Sequence, residues 1–183
     1  SVQDFLKLNP SISTFGKCFG GGLPIGIIAI KKNIEKKLLE KKNKVFFGGT
    51  FSGNSINTYI ANKVLKFILK NKNKIFKDLN EKSNYFVKNL NNFFEQNNYD
   101  AKCLNIKSII RIIFTKNNAQ DRPQRDFLEK KNFKKVKLFR KFLFSKKIFY
   151  PSSGIIFFSK STSYNEINFL LKSTKSAFIK IFK

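Results

Sequence analysis

The amino-acid sequence predicts an α/β fold built in two parts. Short runs of β-branched and aromatic residues, bounded by glycine and proline, alternate with longer stretches whose apolar residues recur at helical spacing. The predicted order is strand, helix, helix, helix and then strand, helix, strand, helix, within 183 residues. We therefore expect residues 1–75 to complete a larger α/β domain and residues 76–183 to form a small α/β domain of their own.

The first predicted elements are two strands on either side of a glycine cluster at 20–22. One strand is expected at 12–15 and the other at 25–30. Both runs lack polar alternation, which is typical of strands buried on both faces beneath helices. Lys17 would lie at the end of the first strand, beside the glycine-rich loop.

The rest of the first part is predicted to be helical apart from one short strand. A surface helix is expected at 31–42 and the short strand at 45–47. Asn54 is a candidate N-cap for the next helix, and a second, separate helix is predicted over 78–96. The expected buried face of the helix after Asn54 carries Ile56, Ile60, Val64 and Ile68.

The second part is predicted to alternate strands and helices after a helix break at Asn97-Asn98. The expected elements are a strand over 101–115, a loop over 116–126 that contains Pro123, a basic helix over 132–146, strands at 148–150 and 155–159, and a final helix. Ser163 and Glu166 have the spacing of a capping box at the start of that helix. The phenylalanines expected in the core of this second part are Phe133, Phe139, Phe142, Phe157, Phe158, Phe169 and Phe178.

The composition excludes several kinds of chemistry. The chain has no histidine and only two cysteines, Cys18 and Cys103, so ordinary metal sites, Ser/His or Cys/His catalysis and a disulfide framework are not expected. No segment resembles a signal peptide or is apolar for long enough to cross a membrane, which favours a soluble, cytoplasmic protein. The absence of methionine indicates a fragment or trimmed form of a longer protein.

The net charge of +26 raises the alternative of a nucleic-acid partner. The charge is almost all lysine, with arginine only at Arg111, Arg122, Arg125 and Arg140, and the lysines are spread along the chain. Specific recognition of bases and phosphates relies on the arginine fork. Lysine, asparagine, isoleucine and phenylalanine are all over-used and have A/T-rich codons, so a genome-wide base bias is favoured over nucleic-acid binding.

The segment from Ser13 to Gly26 contains the first candidate site. Its lysine, Lys17, leaves a predicted strand into a glycine-rich loop, whereas other lysines lie on polar faces. A desolvated lysine amine loses its charge and becomes a nucleophile, and flanking glycines let the backbone approach a bulky ligand. A solvated loop lysine is the simpler alternative. A P-loop is excluded because Ser11 and Cys18 replace the glycine and the hydroxyl residue that it requires.

The segment Gly48-Gly49-Thr50-Phe51-Ser52-Gly53-Asn54 is the second candidate site. Backbone N–H groups, a threonine hydroxyl and a helix N-terminus together suit a phosphate group. Such capped helix starts are common, so this segment is informative only in combination with the first.

Taken together, the two segments resemble the class III aminotransferases. The family pattern has Thr-Leu-Gly-Lys, an aliphatic pair, Gly-Gly-Gly-Leu-Pro-Val-Gly and later Gly-Thr-Leu-Ser-Gly-Asn-Pro, and the order and spacing agree from Pro10 to Asn54. The resemblance is strongest to the branch that contains glutamate-1-semialdehyde aminomutase. It implies the C-terminal half of a fold type I transferase dependent on pyridoxal 5'-phosphate (PLP), with 1–75 in the large PLP-binding domain and 76–183 as the small domain.

The resemblance also implies roles for three residues. Lys17 would be the catalytic lysine, forming a Schiff base with PLP and then shuttling a proton. Gly49 and Thr50 would bind the cofactor phosphate of the neighbouring subunit, which implies an obligate homodimer with shared active sites. The substrates would be an amino donor and a carbonyl acceptor.

Four functions remain open at this point. An aminotransferase is favoured, because Pro151-Ser152-Ser153-Gly154 lacks the glutamate that the aminomutase carries after its Pro-Ser turn. The alternatives are the aminomutase itself, a non-catalytic remnant and a basic nucleic-acid-binding protein. The family's aspartate for the pyridine nitrogen, its main phosphate loop and its stacking aromatic residue precede the lysine and have no counterpart in residues 1–16, so we expect the isolated chain to be inactive.

Overall fold

A computed structural model describes residues 2–40, 45–46 and 48–182, and it confirms the mixed α/β class. The chain forms two compact units, Ser1–Lys72 and Asn73–Lys183, while the assignment of 1–75 and 76–183 to two domains of a complete enzyme stays a prediction. In order, the elements are α1 Val2–Phe5, β1 Ile12–Gly16, β2 Gly26–Ile30, α2 Lys32–Leu39, α3 Ser55–Gln96, β3 Lys102–Ile106, β4 Ile109–Ile113, α4 Arg122–Glu129, α5 Phe133–Ser145, β5 Ile155–Phe157 and α6 Tyr164–Ile181. Within the described ranges, no helix is both long and apolar enough to span a membrane.

The two strands predicted around the glycine cluster are confirmed in the first unit. β1 and β2 pair antiparallel, with Ile12 opposite Ile30 and Gly16 opposite Gly26. The prediction that both strands are buried on two faces is wrong, since Ile28 is 56% exposed and Ile12 50%. As far as the structure describes the chain, this sheet has only these two strands, too few to be enclosed by helices on both faces.

The segment between β2 and α3 agrees only partly with prediction. α2 confirms the surface helix, although positions 41–42 of the predicted span lie outside the described residues. The strand at 45–47 is wrong for Val45 and Phe46: the Val45 N–H bonds back to the Leu38 carbonyl at 3.0 Å, and Phe46 is 86% exposed. Phe47 lies outside the described residues.

The two helices predicted on either side of 70–77 are one continuous helix, α3, of 42 residues. It contains no glycine or proline, so the lysine- and asparagine-rich stretch in its middle does not interrupt it. Asn54 caps its start as predicted, because its Oδ1 accepts the Asn57 N–H at 3.1 Å. The predicted end at Asn97-Asn98 is confirmed, and Asn98 adopts a positive φ of 53°.

The sheet of the second unit is antiparallel with the order β3, β4, β5. The single strand predicted over 101–115 is wrong because the chain turns at Lys107, with φ of 55°, and makes a hairpin. The strand predicted at 148–150 is also wrong: the Ile148 N–H bonds to the Leu143 carbonyl at the end of α5 instead of to a ladder. β5 confirms the strand predicted at 155–159 but is shorter.

The loop predicted over 116–126 ends earlier than expected, at the start of α4. Asp121 caps this helix by accepting the Gln124 N–H at 2.8 Å, and Pro123 lies in its first turn. Proline favours that position since its missing N–H would have no helical partner there, so it marked a helix start rather than a loop. α5 confirms the basic helix, and the capping box of α6 is confirmed.

The core of the second unit lies between its sheet and the helices α3, α5 and α6. The fully buried members include Phe86, Phe94, Ile110, Phe139 and Phe178. Of the seven predicted core phenylalanines, Phe139, Phe158 and Phe178 are buried and Phe142 packs partly against them. The prediction is wrong for Phe133, Phe157 and Phe169, which are exposed; Phe157, for example, lies opposite Ile109 on the outward face of the sheet.

Candidate active site

Lys17 follows β1 directly and begins a short 3-10 turn over Lys17–Gly20. Its backbone has a positive φ of 55°, which is uncommon for a residue with a side chain, but Lys7, Lys107 and Lys147 share it. This backbone conformation is therefore not specific to Lys17. Its side chain is exposed, and within the described residues its amine has no hydrogen-bond or ion-pair partner, so the amine is available to a ligand.

The glycine-rich loop after Lys17 is held against the first half of α3. Gly21 has φ of 60°, and a Cβ there would come within 2.9 Å of side-chain carbons of both Ile60 and Val64. A Cβ on Gly16 would lie 3.0 Å from the Ile25 carbonyl oxygen. Glycine is therefore required for this close packing, and the packing fixes the loop on both sides of the lysine.

Gly49 and Thr50 form a turn in front of α3. The Ser52 N–H donates to the Gly49 carbonyl at 2.9 Å. Thr50 is exposed, and no hydrogen bond from its N–H or hydroxyl to another described residue is found. Since Asn54 caps α3 from the adjacent position, the turn presents unused donors near a helix N-terminus, an arrangement that suits an anion.

These donors lie in an open cleft of about 920 Å³ within the first unit. Its walls are Pro24–Ile28 of the β2 edge, the turn from Gly49 to Asn54, and one face of α3. Gly49 and Thr50 thus lie in one cleft, whereas Lys17 is not among the described residues that line it.

Asn57 is a cleft residue that the sequence interpretation missed. Its Nδ2 donates to the Pro24 carbonyl at 2.7 Å and so ties α3 to the start of β2. The signal was weak, because an asparagine in the first turn of a helix that is already capped by Asn54 has no distinctive pattern.

The predicted desolvation of Lys17 is not found in the described residues, where the side chain is exposed. Burial of a lysine amine depends on what covers it, and the strand and loop next to Lys17 leave it open. The buried Cys103 does not replace it as a nucleophile. Burial raises the pKa of the Cys103 thiol to about 12, so it stays protonated, and no group of three or more potential metal ligands is found among the described residues.

A family model described as Aminotransferase class-III matches residues 2–130. The chain belongs to the class III aminotransferase family. This confirms the resemblance seen in the motifs from Pro10 to Asn54. The glutamate-1-semialdehyde 2,1-aminomutase of Methanosphaera stadtmanae is 30% identical over 185 residues, covering 100% of this chain and 42% of that protein, which confirms the similarity to the aminomutase branch.

Solved structures of a transaminase and an aminomutase share the fold. An omega-transaminase from Sphaerobacter thermophilus superposes with a TM-score of 0.82 at 15% identity, covering 100% of this chain and 41% of that chain. A variant of a glutamate-1-semialdehyde-aminomutase from Pseudomonas aeruginosa, in complex with PMP, gives a TM-score of 0.79 at 10% identity over 98% and 41%. The fold type I class is therefore confirmed. The chain spans about two fifths of the length of these proteins.

Proposed function

We propose that the chain is the lysine-bearing part of a PLP-dependent aminotransferase in which Lys17 carries out amino-group transfer. The observation that carries this proposal is the position of Lys17 in a member of the class III family. Its amine has no partner among the described residues and begins a turn that glycines pack against α3. PLP, when bound, supplies an aldehyde that takes up an amino group and a ring that withdraws electrons from the neighbouring carbon.

Lys17 would do two things at this site. Its amine would hold the cofactor when no substrate is present, and once released it would act as the base that moves a proton at the substrate carbon. Both roles need the amine in its neutral form, which burial favours. Because Lys17 is exposed here, the proposal requires that protein segments other than the described residues bury its amine.

Gly49 and Thr50 would bind the cofactor phosphate. The residues fit this group, since the turn has a hydroxyl and backbone N–H groups that no other described residue accepts from, close to the N-terminus of α3. Lys17 does not line the same cleft. This separation supports a homodimer in which each chain gives its lysine to one site and its Thr50 turn to the other.

The substrates would be an amino donor and a carbonyl acceptor. A second candidate, the aminomutase reaction, is favoured by the 30% identity over the whole chain to a protein of that name. An aminotransferase in its amino-cofactor form passes the amino group to an added 2-oxo acid, whereas an aminomutase uses a single compound as donor and acceptor. Release of a new amino acid from the 2-oxo acid would therefore support the first reaction over the second.

Reduction with borohydride tests the lysine assignment in protein purified from its source after incubation with PLP. We expect peptide mapping to find the reduced pyridoxyl phosphate on Lys17. Lys7 is the matched control, since it is also exposed in the first unit and has a similar backbone, with φ of 52°. Equal labelling of Lys7 and Lys17 would contradict the proposal, as would labelling that persists at other sites while Lys17 remains unmodified.

Exchange of Thr50 for valine tests the phosphate role separately. We expect the variant to retain PLP roughly tenfold less well, because one charge-assisted hydrogen bond to phosphate is lost. Thr58 provides the matched control, because its hydroxyl is already bonded to the Asn54 carbonyl at 2.8 Å. Cofactor retention that is unchanged in Thr50→Val, or reduced equally in Thr58→Val, would remove Thr50 from the site.

A further inference from the structure

The charge balance of the chain is uneven because its acidic residues are unevenly placed. Lysines occur along the whole chain, and residues 130–183 contain 14 of the 37 lysines and arginines. The same stretch contains only one of the 11 acidic residues, Glu166, whose carboxylate accepts the Ser163 N–H in the capping box of α6. Positive charge is therefore balanced least in the part of the chain that forms α5 and α6.

The outer side of α5 and the turn after it form one exposed surface, which we call the α5 outer face. Its members, all exposed, are Leu138, Lys141, Phe144, Lys146, Lys147 and Phe149. The first three follow one another at intervals of three residues, so they lie on the same side of the helix. The opposite side of α5 is buried in the core of the second unit through Phe139 and Leu143.

Backbone hydrogen bonds fix the turn at the end of α5. The Lys147 N–H donates to the Phe144 carbonyl at 2.9 Å, and the Ile148 N–H donates to the Leu143 carbonyl at 3.0 Å. These two bonds are the Schellman pattern of a helix end, with Lys147, at φ of 61°, in the position that glycine usually takes. Phe144 and Phe149 thus flank a turn of defined shape, with two lysines between them in the sequence.

The lysines of the α5 outer face have no carboxylate to neutralise them. Among the described residues, no ion pair is found for Lys141, Lys146 or Lys147. The Lys146 amine lies over the Phe142 ring, 5.9 Å from its centroid, and the amine of Lys180 in α6 lies 5.4 Å from the same centroid. Lys180 therefore places a further cation beside the face, and the whole region attracts anionic partners.

The α5 outer face also exposes large apolar side chains. Phe149 is 79% exposed, Phe144 71% and Leu138 52%. Single exposed apolar residues are ordinary on protein surfaces, but three of them between unpaired lysines make one mixed cationic and apolar surface. This surface is the outside of a helix and of its terminal turn, so it is convex and suits a partner into which side chains can enter.

We propose that the α5 outer face binds the surface of a lipid bilayer that contains anionic lipids. Phe144, Phe149 and Leu138 would enter the boundary between headgroups and acyl chains, while the lysine stems extend along them and bring the amines to the lipid phosphates. Nucleic acid fits this face less well, because a leucine cannot stack on a base and none of the six residues is an arginine. The contact requires no membrane-spanning helix and is independent of the proposed amino-transfer chemistry.

Co-sedimentation of the whole protein with vesicles measures this binding. We expect binding to vesicles of phosphatidylcholine and phosphatidylglycerol in equal parts, much weaker binding to phosphatidylcholine alone, and release as the salt concentration rises. Phe149→Ser should weaken binding to the mixed vesicles about tenfold or more, because the burial of one ring is lost. Equal binding to both kinds of vesicle, or no binding to the mixed vesicles, would overturn the proposal.

Two lysines with the same backbone conformation provide matched charge variants. Lys147 and Lys107 are both exposed, with φ of 61° and 55°, so glycine removes one charge and relieves the same backbone strain at either position. Lys107 lies in the β3–β4 turn, outside the α5 outer face. Lys147→Gly should weaken vesicle binding about fivefold, and Lys107→Gly should leave it nearly unchanged. Equal weakening by the two variants would contradict the proposal, since only the net charge would then matter.

The chain has no tryptophan, so a single one can report insertion. Phe149→Trp introduces it on the α5 outer face, whereas Phe157→Trp is the control, because Phe157 is 66% exposed on the outward face of the sheet. With mixed vesicles, we expect a blue shift of the emission and quenching by brominated lipids in Phe149→Trp only. Unshifted emission of Phe149→Trp in vesicle-bound protein would overturn the proposal. Tighter binding to a short DNA duplex than to the vesicles, unaffected by Phe149→Ser, would also overturn it and assign the face to nucleic acid.

Discussion

Lys82 shows how the second unit accommodates a buried charge. Its side chain is only 7% exposed, and its amine donates to Asp78 Oδ2 at 2.7 Å and to the Lys160 carbonyl at 3.0 Å. A charge taken out of water costs free energy unless it is paired and hydrogen-bonded. Lys82 meets both conditions, and it connects α3 to the turn that precedes α6.

Exchange of Lys82 for methionine should lower the free energy of unfolding by about 1–3 kcal/mol, because the Lys160 carbonyl loses its donor and Asp78 its counter-ion. Lys77→Met is the matched control. Lys77 also pairs with a carboxylate four residues away, Glu81 at 3.9 Å, but is 78% exposed, so its loss should cost at most about 0.5 kcal/mol. Chemical denaturation measures both variants, and equal costs would show that burial of the Lys82 pair contributes nothing.

Lys17 marks the limit of what residue patterns could reveal about the site. The glycines at 20–22 identified the loop, and at Gly21 the close packing against Ile60 and Val64 permits no side chain. The exposure of the amine was not predictable from neighbours in the sequence, because it depends on which other segments cover it.

At the scale of elements, the errors have local physical causes. α3 was divided because its middle is polar, yet neither glycine nor proline, the residues that most strongly end a helix, lies between Ser55 and Gln96. The β3–β4 hairpin was missed because its turn uses Lys107 in a conformation that normally selects glycine or asparagine. The capping box of α6, by contrast, was recognised from two residues, since both of its hydrogen bonds are local.

Exchange of Ser163 for alanine tests how much that capping box contributes to the free energy of unfolding. Ser163 Oγ accepts the Glu166 N–H at 3.2 Å, and Glu166 Oε2 accepts the Ser163 N–H at 2.7 Å. Ser163→Ala should lower the free energy of unfolding by about 1 kcal/mol, the usual value of an N-cap. Ser176→Ala, in the interior of the same helix, should be neutral or slightly stabilising because alanine has the higher helix propensity. Thermal denaturation measures both variants. An unchanged free energy of unfolding in Ser163→Ala would mean that the remaining hydrogen bonds are enough to hold the helix start.

At the scale of the whole molecule, the fold class and family could be predicted because the motifs from Pro10 to Asn54 agree with the family pattern in order and spacing. The relation of Lys17 to the Thr50 turn was expected only from the family resemblance, and it stays a prediction. In one chain the turn lies in a cleft that Lys17 does not line. Under our proposal, the lysine and the turn of one site would therefore come from different copies. Sequence patterns describe one chain and carry little information on how copies combine.

The net charge of +26 predicts a protein whose stability depends on salt. Like charges repel in the compact state, and the Debye length falls from about 30 Å at 0.01 M to about 8 Å at 0.15 M salt, so added sodium chloride should raise Tm. A gain of about 1 kcal/mol corresponds to roughly 2–4 °C for a chain of this size. The control exchanges the exposed Lys70, Lys72 and Lys74 of α3 for glutamate, each change lowering the net charge by two. The Tm of this triple variant should respond less to salt than the Tm of the unchanged protein. An equal response in both proteins would mean that salt acts on burial of apolar surface rather than on charge repulsion.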